Sequence, residues 1–157
     1  MSKNTASVTP VELEQYLHDH IPLSKAMQVS VLDVQPDYVT LSAPLPPNIN
    51  HRDTVFGGSA AAVAVLAAWS LVHTRLVAAA LPSRLVIQRN TMRFAMPITG
   101  TFTARSFFPD EQLWERFTLM LKRKGKARIA VSCTLGFAGQ KAGCFEGEFV
   151  APDTQAT

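Results

Sequence analysis

The sequence predicts an α+β domain in which an antiparallel β-sheet curls around one long helix, and three observations carry that prediction. First, Gly57-Gly58-Ser59 opens a run to about Ala80 that has no further Gly or Pro and is apolar on every side, the pattern of a surrounded helix. Second, a strand pair precedes this run and roughly four strand-like segments follow it, enough for an antiparallel sheet to cover most of the helix. Third, one side of such a helix stays uncovered by its own sheet. A second molecule is needed there, so a homodimer, or a homotetramer built from it, is expected.

The elements follow in chain order. Thr9, Pro10 and Glu12 make a helix start: a hydroxyl cap, a proline whose missing N–H costs nothing, and an acid placed to close a capping box. This helix should reach about His20. Val29–Val34 and Tyr38–Leu45 read as paired strands about a Gln35-Pro36-Asp37 turn, and Pro44, Pro46 and Pro47 then keep the chain irregular through Phe56. Beyond the long helix and Pro82, Leu85–Met96 is a long strand, Pro97–Gly100 a turn and Thr101–Phe108 another strand. Pro109-Asp110-Glu111 begins a helix with Leu113, Trp114, Phe117 and Leu121 on one face and Gly125 as its stop. Ala127–Phe137 alternates cleanly, which sends Ile129, Val131, Cys133, Leu135 and Phe137 to the core. Gly139–Gly143 should turn the chain into a last strand near Phe145–Val150, with a frayed tail over 152–157.

Composition narrows the function. At 157 residues, 47% hydrophobic and 17% charged, the chain is a single domain, 1–157, able to bury a core without disulfides or metal. Cys133 and Cys144 form no CxxC pair or Cys/His cluster, so no metal site is expected and a reducing cytoplasm is the expected location. The net charge of +3 comes without the Lys/Arg runs and interleaved aromatics of a nucleic-acid binder. No signal peptide stands at the polar N-terminus, and Ala60–Val72 falls short of the ~20 residues that cross a bilayer. Neither nucleic acid nor membrane is therefore expected as a partner.

The chemistry concentrates at 48–59, Asn48-Ile49-Asn50-His51-Arg52-Asp53-Thr54-Val55-Phe56-Gly57-Gly58-Ser59. A polar cluster runs there directly into the N-terminus of a buried helix, where unpaired N–H groups and the helix dipole stabilise negative charge. Glycines let a ligand approach the backbone closely. A thioester carbonyl becoming a tetrahedral oxyanion is one species such a site could hold, and loss of one donor of that kind costs ~3–4 kcal/mol in barrier. The alternative is structural: the glycines permit tight packing and Ser59 caps.

Asn50 followed by Phe56-Gly57-Gly58 ahead of an apolar helix resembles the hot-dog-fold acyl-CoA thioesterases. More narrowly, Asn48–His51, Thr54–Ser59 and Trp69–His73 resemble a bacterial thioesterase-type domain that also occurs fused behind an N-acetyltransferase domain, and the likeness spans about Leu17 to Val150. The resemblance implies a sheet wrapped around the helix, dimers joined sheet edge to sheet edge, and active sites at the dimer interface. It also implies that Asn50 and the Gly57 or Gly58 N–H hold the substrate carbonyl or the attacking water. Two departures stand out. Phe56 occupies the place where the wider group commonly has histidine, and Val65 the place where many relatives carry an acid.

From Thr54 through Pro109 there is no Asp or Glu at all, so the usual carboxylate base is missing. His51 is the preferred substitute, since histidine titrates near neutrality, with Asp53 orienting it or sharing the role. His73 lies about 22 Å along the helix from Gly58, which favours a structural part. On the strand after the helix, even positions including Gln88 and Asn90 form one face and odd positions including Arg89 and Arg93 the other. Gln88 and Asn90 would line the pocket or the dimer seam; Arg89 and Arg93 would suit the phosphates of coenzyme A. Phe56 and Ser59 complete the expected substrate contacts. Lys122-Arg123-Lys124 with Lys126 reads as a solvated helix end.

The leading expectation is thus hydrolysis of an acyl-CoA or acyl-carrier thioester without metal or cofactor beyond the coenzyme A of the substrate. Two alternatives stay open: a hydratase or dehydratase acting on enoyl or hydroxyacyl thioesters, and a non-catalytic module that binds acyl thioesters.

Overall fold

A computed structural model describes residues 7–81 and 84–151, so the tail expected to fray, 152–157, lies outside the described residues. Helix α1, Pro10–His20, starts with the capping box read from the sequence: Glu12 N–H donates to Thr9 Oγ1 and Thr9 N–H to Glu12 Oε1. Pro22 then begins a short helix the sequence reading did not anticipate, α2, Pro22–Ala26. Strands β1 (Ser30–Val34) and β2 (Tyr38–Ala43) form the first hairpin, and a 3-10 turn, Pro46–Asn48, opens the irregular stretch before α3, Gly57–Ala78. Strands β3 (Val86–Phe94) and β4 (Phe102–Phe107), helix α4 (Leu113–Lys124), and strands β5 (Ala127–Phe137) and β6 (Gln140–Ala151) complete the chain.

All strand pairs are antiparallel, in one six-stranded sheet of order β1-β2-β4-β5-β6-β3. Its inner face, with Leu41, Phe102, Ile129, Leu135, Phe145 and Phe149 fully buried, packs against Val63, Ala67, Leu71 and Val72 of α3. Full burial of a Leu or Val side chain stabilises by ~1.5–3 kcal/mol, and this helix supplies many such residues. By length and apolarity α3 could cross a bilayer, but most of its apolar window is buried inside the fold. Alanines let the helix lie close to the strands without a deep groove between them. Arg75, near the end of α3, stacks on Trp114 at 4.6 Å and donates to Pro36 O, tying α4 and the first hairpin to the helix.

Three details differ from the sequence reading. The first is at α4, which starts at Leu113 rather than at Pro109 because Asp110 forms a turn first, accepting the Gln112 N–H at 2.9 Å through its carboxylate. Gly125 does end the helix, at φ 71°. The second is the β5–β6 hairpin, which turns at Ala138-Gly139, with φ of 51° and 74°, so that β6 begins at Gln140 rather than near Phe145. Third, a bulge between Ile87 and Arg89 breaks the parity of β3. Ile87 packs on the core before it and Met92 after it, so Gln88 and Asn90 do not share a face as the even-numbered pattern predicted.

Ala138 pays for a left-handed conformation that Asn tolerates better, and two consecutive positive φ values match the turn that favours Asn-Gly. Ala138→Asn should therefore stabilise the fold by roughly 0.5–1 kcal/mol. Thermal melting should show a rise of about 1–4 °C.

Candidate active site at the start of the central helix

The loop ahead of α3 is held from below by Asn48, only 2% exposed. Its Nδ2 donates to Met27 O at 3.0 Å and Pro44 O at 2.7 Å, and its backbone O accepts the Phe56 N–H at 2.7 Å. Residues 48–56 are thereby closed into a ring directly before the helix. An isolated Ile49–Val55 bridge narrows the ring, and Val55 N–H donates to Ile98 O at 2.8 Å, which ties it to the segment after β3.

Because Phe56 is the N-cap and no side chain caps the helix, the first-turn N–H groups of Gly57, Gly58 and Ser59 have neither an intrahelical acceptor nor a capping side chain. Aromatic rings frame them. A Cβ on Gly58 would run into the Phe56 ring, and one on Gly57 would touch Phe94 at 3.4 Å. Both rings are exposed, Phe56 at 56% and Phe94 at 57%. Beside Gly57 opens a groove of about 430 Å³ whose walls include Thr54, Val55, Ala60, Phe94, Met96 and Ile98. It is apolar, with backbone donors at one end, the arrangement expected of a site that polarises one carbonyl of an otherwise greasy ligand.

The residues singled out in the sequence are distributed unevenly around this groove. Gly57 lines it. Gly58 and Ser59 share its helix turn, and Phe56 covers Gly58. Asn50 is turned into its own loop: Oδ1 accepts the N–H of Arg52 at 2.8 Å and of Thr54 at 3.1 Å, while Nδ2 donates to Thr54 Oγ1 at 2.9 Å and to Val55 O at 3.5 Å. His51 and Asp53 are both exposed in the turn, Asp53 at φ 62°, with no hydrogen bond between them. Val65 is half-buried further along α3.

Gln88, Arg89, Asn90 and Arg93 are exposed on β3, an edge strand of the sheet. Arg89 and Asn90 line a separate cleft of about 250 Å³ with Glu146 and Glu148 of β6, and Arg89 pairs with Glu148 at 3.7 Å. The stretch from Thr54 to Pro109 is thus free of acids only along the chain; in space β6 returns two beside it, which weakens the expected positive field. Sequence reasoning assigned no site role to Thr54, Phe94, Met96 or Ile98. Thr54 stood within the quoted loop motif; the other three reach the groove through long-range folding that no local pattern announces.

His73 is half-buried where α3 meets α1. Its ring stacks on Trp69 at 4.4 Å and Tyr16 at 4.8 Å, and Trp69 Nε1–H donates to Leu85 O at 3.0 Å. Burial, with a smaller contribution from His20, holds its pKa below the usual 6.5. The neutral ring is favoured in the fold, so the unfolded chain binds the extra proton first. Stability should therefore fall as pH drops through 6.5 towards the lowered folded value. Melting curves between neutral and mildly acidic pH should show a shallower dependence for His73→Phe than for the parent.

Comparison with known proteins agrees with this architecture. A family model described as putative thioesterase (yiiD_Cterm) matches residues 11–153. A protein of unknown function from Chlorobaculum tepidum superposes with a TM-score of 0.88 at 30% identity, over 95% of this chain and 99% of that one. A putative thioesterase from Shewanella oneidensis gives 0.82 at 28% identity, over 91% and 96%. A thioesterase from Haemophilus influenzae, 11% identical over 94% and 92%, shares the fold at a TM-score of 0.76. The chain is thus similar to thioesterases of the hot-dog fold, and by the family match it belongs to the putative thioesterase (yiiD_Cterm) family.

Proposed function

We propose that the protein hydrolyses acyl thioesters, carried by coenzyme A or by an acyl-carrier protein, in the groove at the start of α3. The observation that carries this reading is the uncapped helix turn at Gly57–Ser59 opening beside an apolar groove. Water adds to the thioester carbonyl carbon, and the oxygen that gains negative charge is stabilised by the Gly57 and Gly58 N–H groups and the positive end of the helix dipole. Collapse of that adduct breaks the C–S bond and releases the thiolate. Water is the only co-reactant.

None of the groove walls among the described residues is titratable, so the proton of the attacking water must pass to a group outside them. His51 is our choice: it is exposed in the turn that leads into the groove, where a rotation of its side chain would bring the ring to the water. Asp53, exposed and not bonded to it, gives little support to the paired histidine and carboxylate that hydration chemistry would need. The apolar walls do favour one second reading, a module that binds acyl thioesters without turnover. We further propose a dimer. Strand β3 is long, lies at a sheet edge and exposes Val86 and Phe94, features that a second copy paired along this edge would cover.

A thiol-release assay over a panel of acyl-CoAs should show turnover, with His51→Gln lowering kcat by about 10²–10⁴-fold. Acyl-CoA binding without release at any chain length would select the non-catalytic module. Sedimentation should give a dimer or a multiple of it; a monomer would remove the edge pairing.

A further inference from the structure

Resting on the reading that the groove accepts a thioester, we propose that Thr54 is a catalytic hydrogen-bond donor to the carbonyl oxygen and that Asn50 is the positioning residue that aims it. Among the described residues Thr54 supplies the only polar side chain of the groove walls; the rest are Gly, Ala, Pro or larger apolar residues. Its neighbour in that lining, Gly57, presents a free backbone N–H. Thr54 and Gly57 wall the same apolar space, so a hydroxyl and an amide N–H turned to one carbonyl oxygen would make a two-donor cradle of the kind that stabilises an oxyanion.

The orientation of Asn50 is what makes the hydroxyl available. Its Oδ1 accepts two backbone N–H groups, of Arg52 at 2.8 Å and Thr54 at 3.1 Å, so the amide cannot be reversed without facing donor against donor. Nδ2 is therefore forced towards Thr54 Oγ1, at 2.9 Å. The threonine oxygen accepts there, its own proton has no acceptor among the described residues, and it is left for a ligand. A hydroxyl that accepts from an amide is polarised into a stronger donor. Threonine is also stiff about its first side-chain bond, so one such contact suffices to choose its rotamer. The same asparagine thus sets both the backbone and the side chain of Thr54.

This geometry reassigns Asn50. The two N–H bonds of its amide already go to Thr54 Oγ1 and Val55 O, so it acts on the carbonyl through Thr54 rather than by touching it. Thr54 is not a nucleophile, because its side-chain partner is a donor and cannot take its proton. It keeps that proton throughout: it hydrogen-bonds the oxygen as water adds to carbon, and the contact relaxes when the C–S bond breaks and the carbonyl re-forms.

The test compares Thr54→Val, Thr54→Ser and Asn50→Asp. The aspartate still accepts the two backbone N–H groups and so keeps the loop, but it cannot donate to Thr54 and instead draws the hydroxyl proton to itself. Thr54→Val should lower kcat by about 10²–10³-fold with little change in KM, and Thr54→Ser should recover most of it. Asn50→Asp should fall as far as Thr54→Val, and the double variant no further. Circular dichroism checks that each is folded. Wild-type turnover with full activity in Thr54→Val or in Asn50→Asp would overturn the proposal. If the wild type releases no thiol from any acyl-CoA, hydrolysis fails, and Thr54 is judged by binding of an acyl-CoA ketone in which a methylene replaces the sulfur. Wild type and Thr54→Ser should then bind it about tenfold more tightly than Thr54→Val. Equal affinity across the three would sink Thr54 alone; no binding by any form would sink the site with it.

Discussion

The hydrogen bond from Phe56 N–H to Asn48 O, 2.7 Å long, is the constraint on which the candidate site depends. It closes the loop over residues 48–56, and because a phenylalanine rather than a serine or aspartate stands at the closure, the helix begins without a side-chain cap. Leaving a helix start uncapped sacrifices roughly 1 kcal/mol. Stability is recovered elsewhere, chiefly by burying α3 against the sheet. The donors left at the helix start are free to act on a ligand, and the Phe56 and Phe94 rings beside them lower the local polarity in which they act.

Asn48 and Asn50 show how the same side chain serves two levels of one loop. Asn48 is buried and holds the base, donating to the backbone oxygen of Pro44 nearby and to that of Met27, far from it in sequence. Asn50 is half-buried at the tip and bonds only within its turn. The turn is short enough to leave the amide no room to organise the backbone and reach into the groove as well. Its influence on a ligand passes through Thr54, the next polar group towards the helix.

The parts of the fold that were legible in the sequence are those governed by local rules. Ala127–Phe137 reads as β5 residue for residue because one face is buried and the other is not, and the Thr9–Glu12 box marks the start of α1 because its partners are three residues apart. The bulge at Gln88 was not legible, since the register with β6 that produces it is long-range; one extra residue then moved Gln88 and Asn90 off the shared face that alternation assigned them. The Ala138-Gly139 turn escaped for the opposite reason: alanine is a poor occupant of a left-handed position, so Gly139–Gly143 looked like the better turn. At the site, the glycine pair at the helix start was readable; that Phe56 takes the cap position, so that Ser59 does not cap, was not. The burial of Asn48 and the contribution of Thr54 were not, because both depend on where residues 27, 44 and 94–98 return in space.

A groove with strong donors and no titratable wall fits thioester chemistry better than amide or oxygen-ester chemistry. A thiol of ordinary acidity, pKa near 8.5, departs as thiolate without needing a proton, whereas an amine or an alkoxide must be protonated as it leaves. General acid catalysis is then dispensable, and stabilisation of the oxyanion becomes the main demand on the protein. The absence of a carboxylate from Thr54 through Pro109 is consistent with that division of labour. Proton removal from water is still required, but it can be met from outside the groove walls by a residue of the loop that leads into them, such as His51, which need not be held as rigidly as the donors that face the carbonyl.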